Sequence, residues 1–137
     1  MALSDYKEKK LLDHSNNVTP WTAPTTQYLA LFKSDPTDTG SGTEVSSTVD
    51  DTSYARQTIA FGAATLGSGV SLTTNAQTFA AVVYGSGGVP YTVTHIGIFD
   101  ALTSGNLLDY APLSASISRV VGKTLVFDIA AITSALD

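Results

Sequence analysis

The sequence contains no cysteine, which excludes disulfides and thiolate metal sites. Charge is scarce as well. Charged residues make up 14% of the chain, against roughly 25% in an average soluble domain. The net charge is −5 and the seven basic residues are scattered. Lys7, Lys9 and Lys10 form the only cluster, and Glu8 interrupts it. Nucleic-acid binding needs a basic stripe, so nucleic acid is excluded as a partner. No run approaches the ~20 apolar residues of a membrane span, so no membrane partner is expected. The opening MALSDYKEKK lacks the apolar core of a secretion signal. Synthesis in the cytoplasm is therefore the expectation.

Catalytic constellations are missing too. Only His14 and His95 offer imidazole. There is no G-x-S-x-G elbow and no H-E-x-x-H pair. The glycine-rich Gly85-Ser86-Gly87-Gly88 has no lysine after it, so it is a flexible turn and not a phosphate loop. The acidic stretch around Asp35, Asp38, Glu44, Asp50 and Asp51 does not fit a calcium-binding loop. No catalytic, cofactor-binding or metal-binding residue is assigned, and the chain reads as a non-enzyme. His95 reads as a hydrogen-bonded histidine, internal or at an interface.

What the chain has in quantity is apolar and β-branched residues. The hydrophobic fraction is 43% over 137 residues, enough for one folded domain. Residues 89–101, VPYTVTHIGIFDA, have the strongest strand character. Strict alternation puts Thr92, Thr94, Ile96 and Ile98 on one face, and Val93, His95, Gly97 and Phe99 on the other. Both faces are partly apolar, so both need cover. Gly97 in mid-strand marks a bulge or a close approach of another backbone.

One helix is predicted, over residues 3–14, with Ser4 as N-cap. Its apolar stripe is thin: Leu3, Tyr6, Leu11 and Leu12. Such a helix must dock on something. Residues 18–26, VTPWTAPTT, form a proline-punctuated extended arm. Its Trp21 plugs the core or anchors an interface. Strands are expected over 27–33, 54–61, 70–72, 77–83, 114–121 and 124–132. A hairpin joins 96–101 to 107–111 through Thr103-Ser104-Gly105-Asn106. Leu125, Phe127 and Ile129 alternate with Val126 and Asp128 along the last long strand. Residues 34–52 read as a long, solvent-facing loop. The expected architecture is mainly β: an antiparallel β-sandwich with a short N-terminal α-helix. Residues 1–17 hold the helix, 18–26 the arm, and 27–137 the sandwich with its loop at 34–52.

Five segments in order carry a resemblance. They are LSDYKEKKLLDH from Leu3, PTTQYLALFKSDPTDTGSGTEV from Pro24, SYARQTIAF from Ser53, VTHIGIFDA from Val93 and SGNLLDYAPL from Ser104. Together they resemble a family of small bacteriophage virion proteins described as tail-fibre-like or head-decoration proteins. The family typically has Trp-Gly where this chain has Tyr91-Thr92. The resemblance implies a structural part of a phage particle, acting as a homo-oligomer, with a trimer expected. Partners would be further copies of itself and phage capsid or tail proteins. The leading expectation is a capsid decoration or cement protein of the virion. The alternatives are a tail-fibre or tail-associated protein, and a carbohydrate-binding β-sandwich using Tyr84, Tyr91 and Tyr110. Candidate interface residues are Leu3, Tyr6, Leu11, Leu12, Trp21, His95, Gly97 and Phe99.

Overall fold

A computed structural model describes residues 1–135 of the chain. The elements are β1 (Ala2–Leu3), α1 (Asp5–Ser15), β2 (Gln27–Phe32), β3 (Gln57–Ile59) and β4 (Val70–Leu72). They continue with β5 (Gln77–Phe79), β6 (Tyr91–Phe99), β7 (Leu107–Arg119), β8 (Leu125–Phe127) and β9 (Thr133–Ala135). Five strands form an antiparallel sheet in the order β1-β7-β6-β2-β3. The remaining four form two antiparallel ribbons, β4-β9 and β5-β8. The chain is therefore mainly β with one short N-terminal helix.

Ser4 caps the helix. Its hydroxyl accepts from the Lys7 amide at 3.2 Å and donates to the Leu107 carbonyl of β7. The same side chain thus starts the helix and ties it to the sheet. Leu3 falls outside the helix. It pairs with Asp109 as the second residue of β1, because the Ser4 cap forces extended backbone before the first turn. The helix ends at Ser15 with Asn16 as its C-cap, and Asn17 just beyond it is left-handed, with φ 55°.

Residues 96–99 and 107–111 do form a hairpin, as part of β6 and β7, while Asp100 and Ala101 fall in the turn and not in the strand. Its turn carries Ser104 and Gly105 at positive φ, 55° and 77°. A Cβ on Gly105 would lie 2.5 Å from Asp100 Oδ1 and 2.7 Å from Ala101 Cβ, so only glycine fits there.

β6 sits at the centre of the sheet, between β7 and β2. One face carries the main core, with Leu29, Leu31, Ile59, Phe79, Tyr91, Val93, Ile96, Ile98 and Leu108. The other carries a smaller cluster of Ala30, Phe32, Phe99 and Leu107. Strict alternation along β6 fails at one point. Val93 pairs with Ile117, but His95 pairs with Pro112, so residues 113–116 of β7 stand opposite Thr94. The irregularity changes the phase of the strand. Tyr91 and Val93 therefore share the core with Ile96 and Ile98, not with Phe99.

Other expectations change for similarly tertiary reasons. The strand at 54–61 shortens to Gln57–Ile59, because Tyr54 and Arg56 are drawn into a polar clamp. The strand at 77–83 shortens to Gln77–Phe79, and β4 and β5 find their partners near the C-terminus. β8 stops at Phe127, and Ile129 is 64% exposed rather than facing inward with Leu125 and Phe127. The turn around Ala130, at φ 62°, breaks the alternation. Residues 34–52 are not simply a solvent loop. Val45 and Asp51 are buried, and isolated bridges join Phe32 to Glu44 and Asp51 to Tyr84.

Candidate functional site

Two buried polar clusters fix the long loop on the body. The first centres on Arg56. Its Nε and Nη2 donate to the two oxygens of Glu44 at 2.9 and 2.7 Å. Its Nη1 donates to the carbonyls of Ala101 and Ser104, at 2.8 and 2.7 Å. The guanidinium lies 3.6 Å from the centre of the Phe99 ring. Tyr54 donates its hydroxyl to Glu44 at 2.8 Å and accepts from the Leu31 amide at 3.1 Å. Burial, with the adjacent Glu44 charge, raises the Tyr54 pKa far above the ordinary phenol range. One arginine thus clamps the 34–52 loop, the segment before β3 and the β6–β7 turn.

The second cluster centres on Asp51. Its carboxylate accepts from the Val83 and Ser53 amides at 3.0 Å each, from the Ser53 hydroxyl, and from Tyr91 at 2.9 Å. Burial pushes its pKa upward. The bonds from Ser53, Val83 and Tyr91 outweigh that and hold it below the ordinary carboxylate value. Tyr91 is pushed up to about 12 by burial, with Asp51 adding to it against the opposing Arg119. Arg119 is itself buried and donates to the Lys123 and Ala80 carbonyls, at 3.0 and 2.9 Å.

Neither cluster is arranged for turnover. In the first the carboxylate, guanidinium and phenol bind one another, and in the second Asp51 is held by amides, Ser53 and Tyr91 while Arg119 Nε has no partner, which describes structural clamps and not a poised acid or base. His14 is exposed and its Nδ1 accepts from the Trp21 amide at 3.1 Å. His95 is half-buried and its Nδ1 meets Thr94 Oγ1 at 2.9 Å. Among the described residues, no group of three or more His, Asp or Glu side chains could hold a metal ion.

The candidate interface residues divide into three groups. Gly97 and Phe99 are inside the chain's own packing. A Cβ on Gly97 would lie 2.9 Å from Phe32 Cε2 and from Leu107 Cδ1, so its closest neighbours within the chain are side chains and not backbone. Phe99 stacks on Phe32 with ring centres 6.1 Å apart, beneath Arg56. Leu3, Tyr6, Leu11, Trp21 and His95 are half-buried, and Tyr6 packs against the main core. Leu12 points outward, 60% exposed, close in sequence to Val18 at 69%. The arm at 18–26 forms no helix or strand. The Val18 and Thr19 amides bond back to the Asp13 carbonyl.

The tyrosines considered for carbohydrate stacking do not line a common groove. Tyr91 is buried on Asp51, Tyr84 packs against the core, and Tyr110 donates to Asp38. The hydrogen bond to Asp38, then burial, raises Tyr110 to about 12. The clamp residues Glu44, Tyr54 and Arg56 are not apparent in the sequence. Their partners lie up to 48 positions away, and the only signal is an arginine placed next to a β segment.

Among curated proteins, nothing matches this chain. A family model described as "Podophage GP4 fiber I protein gp80" matches residues 2–135, nearly the whole chain. That match moves the reading from capsid cement to fibre. The chain belongs to the podophage GP4 fiber I protein gp80 family and is a non-enzymatic fibre protein of the phage virion.

Proposed function

We propose that the chain is a tail-fibre component that assembles as a small homo-oligomer, a trimer, and attaches to neighbouring tail proteins through α1 and the arm. The observation that carries this reading is the unprotected apolar surface there. Helix α1 has no fully buried side chain, and Leu12 on it and Val18 just after it are exposed. Trp21, the only tryptophan, is half-buried on the same arm. Exposed apolar groups close together favour a covering partner. The fibre character of the family supports a place on the tail over a place on the head shell.

In this reading the body is an antiparallel β-sandwich, with the two ribbons as the second layer over the main sheet. Candidate contacts are Leu11, Leu12, Val18 and Trp21. Each contact is modest, and repetition around a symmetric fibre multiplies it.

The test is electron microscopy of purified particles carrying a tag at the C-terminus. Label confined to the tail supports the proposal. Label spread evenly over the head overturns it. Light scattering on the purified protein reads the stoichiometry directly, and a monomeric mass at high concentration would remove the trimer.

A further inference from the structure

A cleft of about 370 Å³ opens between α1, the arm, β3 and the β4–β9 ribbon. That is at the small end of the range for small-molecule sites. Lys7 and Asp109 form its polar end. The Lys7 ammonium donates to Asp109 Oδ2 at 2.7 Å. An ammonium has three donors, so further donors remain for an occupant. Asp109 is buried and its Oδ1 has no hydrogen-bond partner. Gln27 adds an amide and Ser134 a hydroxyl. Ile59 and Phe61 supply an apolar wall.

The charges in the lining cancel, so a charged ligand gains little there. An apolar ligand would strip water from the ion pair without replacing its hydrogen bonds, which is unfavourable. The fitting occupant is neutral. It donates and accepts several hydrogen bonds at one edge and shows C–H groups on one face. We propose that this cleft binds a single neutral saccharide residue. Lys7, Gln27 and Ser134 contact its hydroxyls, Phe61 packs on its C–H face, and Asp109 acts as a positioning residue that holds the lysine. The inference does not depend on whether the chain sits on the tail or the head.

The experiment is a titration of the isotope-labelled full chain with glucose, galactose and N-acetylglucosamine, followed by amide shifts. Glucuronate and glucosamine serve as charged controls. At least one neutral sugar should give saturable shifts at Lys7, Gln27, Phe61 and Ser134, with a dissociation constant of about 1–10 mM. Gln27→Ala and Ser134→Ala leave the ion pair intact. Each should weaken binding by about threefold or more while the melting temperature holds. Absence of saturation up to about 50 mM overturns the proposal. So do shifts mapping elsewhere, charged controls binding as tightly, or binding untouched by both substitutions; the cleft would then hold water alone.

Discussion

Arg56 shows how one side chain holds three segments that are distant in sequence. It donates to Glu44, Ala101 and Ser104 while covering the Phe99 ring. Its own side chain is 7% exposed and that of Glu44 27%. Removing one partner of a largely buried pair leaves the other charge and two carbonyls unpaired, which costs far more than losing a surface pair. Arg56→Ala should lower stability by about 3 kcal/mol in urea unfolding. Arg56→Lys should recover only part of it, since an ammonium cannot form the forked pair or stack as a plane. A variant with unchanged midpoint would remove the clamp from the account.

Asp51 and Tyr91 contribute to the pH limits of the same body, the alkaline one shared with the raised Tyr54 and Tyr110. The Asp51 carboxyl is depressed in the folded chain. Its contribution is therefore complete above the unfolded value of about 4, and is lost as pH falls through the folded value. Tyr91 is raised to about 12. Its contribution is complete below about pH 10 and is lost as pH rises toward the folded value. Melting temperature against pH should fall at both ends. Asp51→Asn should flatten the acid limb and Tyr91→Phe the alkaline one. Equal slopes in parent and variants would show that other groups govern these limits.

At the scale of elements, β6 decides the architecture. It pairs on both sides and carries residues of both cores. Gly97 lets Phe32, Phe99 and Leu107 close over it. Gly97→Val should cost about 1–3 kcal/mol through forced repacking of Phe32 against Phe99, read as a lower melting temperature and a changed near-ultraviolet aromatic signal. A parent-like melt would mean that Leu107 and Phe32 yield freely. The helix shows the opposite dependence. Its start was readable from Ser4 because a cap is a local hydrogen bond, and the bond to Lys7 is present. The second bond of Ser4, to the Leu107 carbonyl, joins residues 103 apart in sequence, and no local rule indicates it.

For the whole molecule, the main question is which surface stays uncovered. Leu12 and Val18 are exposed, while Phe99 and Gly97 are enclosed. Under the proposed assembly, Leu12→Asp with Val18→Asp should abolish self-association in light scattering while leaving the melting temperature within about 1–2 °C, as exposed substitutions contribute little to folding. Retained association would move the interface elsewhere. Low charge and strands apolar on both faces pointed to a chain that must be covered on both sides. The structure shows that part of that cover is internal, through the 34–52 loop and the Arg56 clamp.

The sequence by itself determined the features that depend on near neighbours. These are a β-rich chain, the capped helix, and the β6–β7 hairpin with its glycine turn. Periodicity and capping are set within a few residues, so they can be read without a partner. Only the tertiary structure decided that β4 takes β9 and β5 takes β8. It alone placed the bulge that turns Val93 toward Ile96, and it alone buried Arg56 and Asp51. Those outcomes rest on hydrogen bonds and packing between residues tens of positions apart, where many short strands could pair equally well. The choice falls to the arrangement that buries the most apolar surface with its polar groups satisfied.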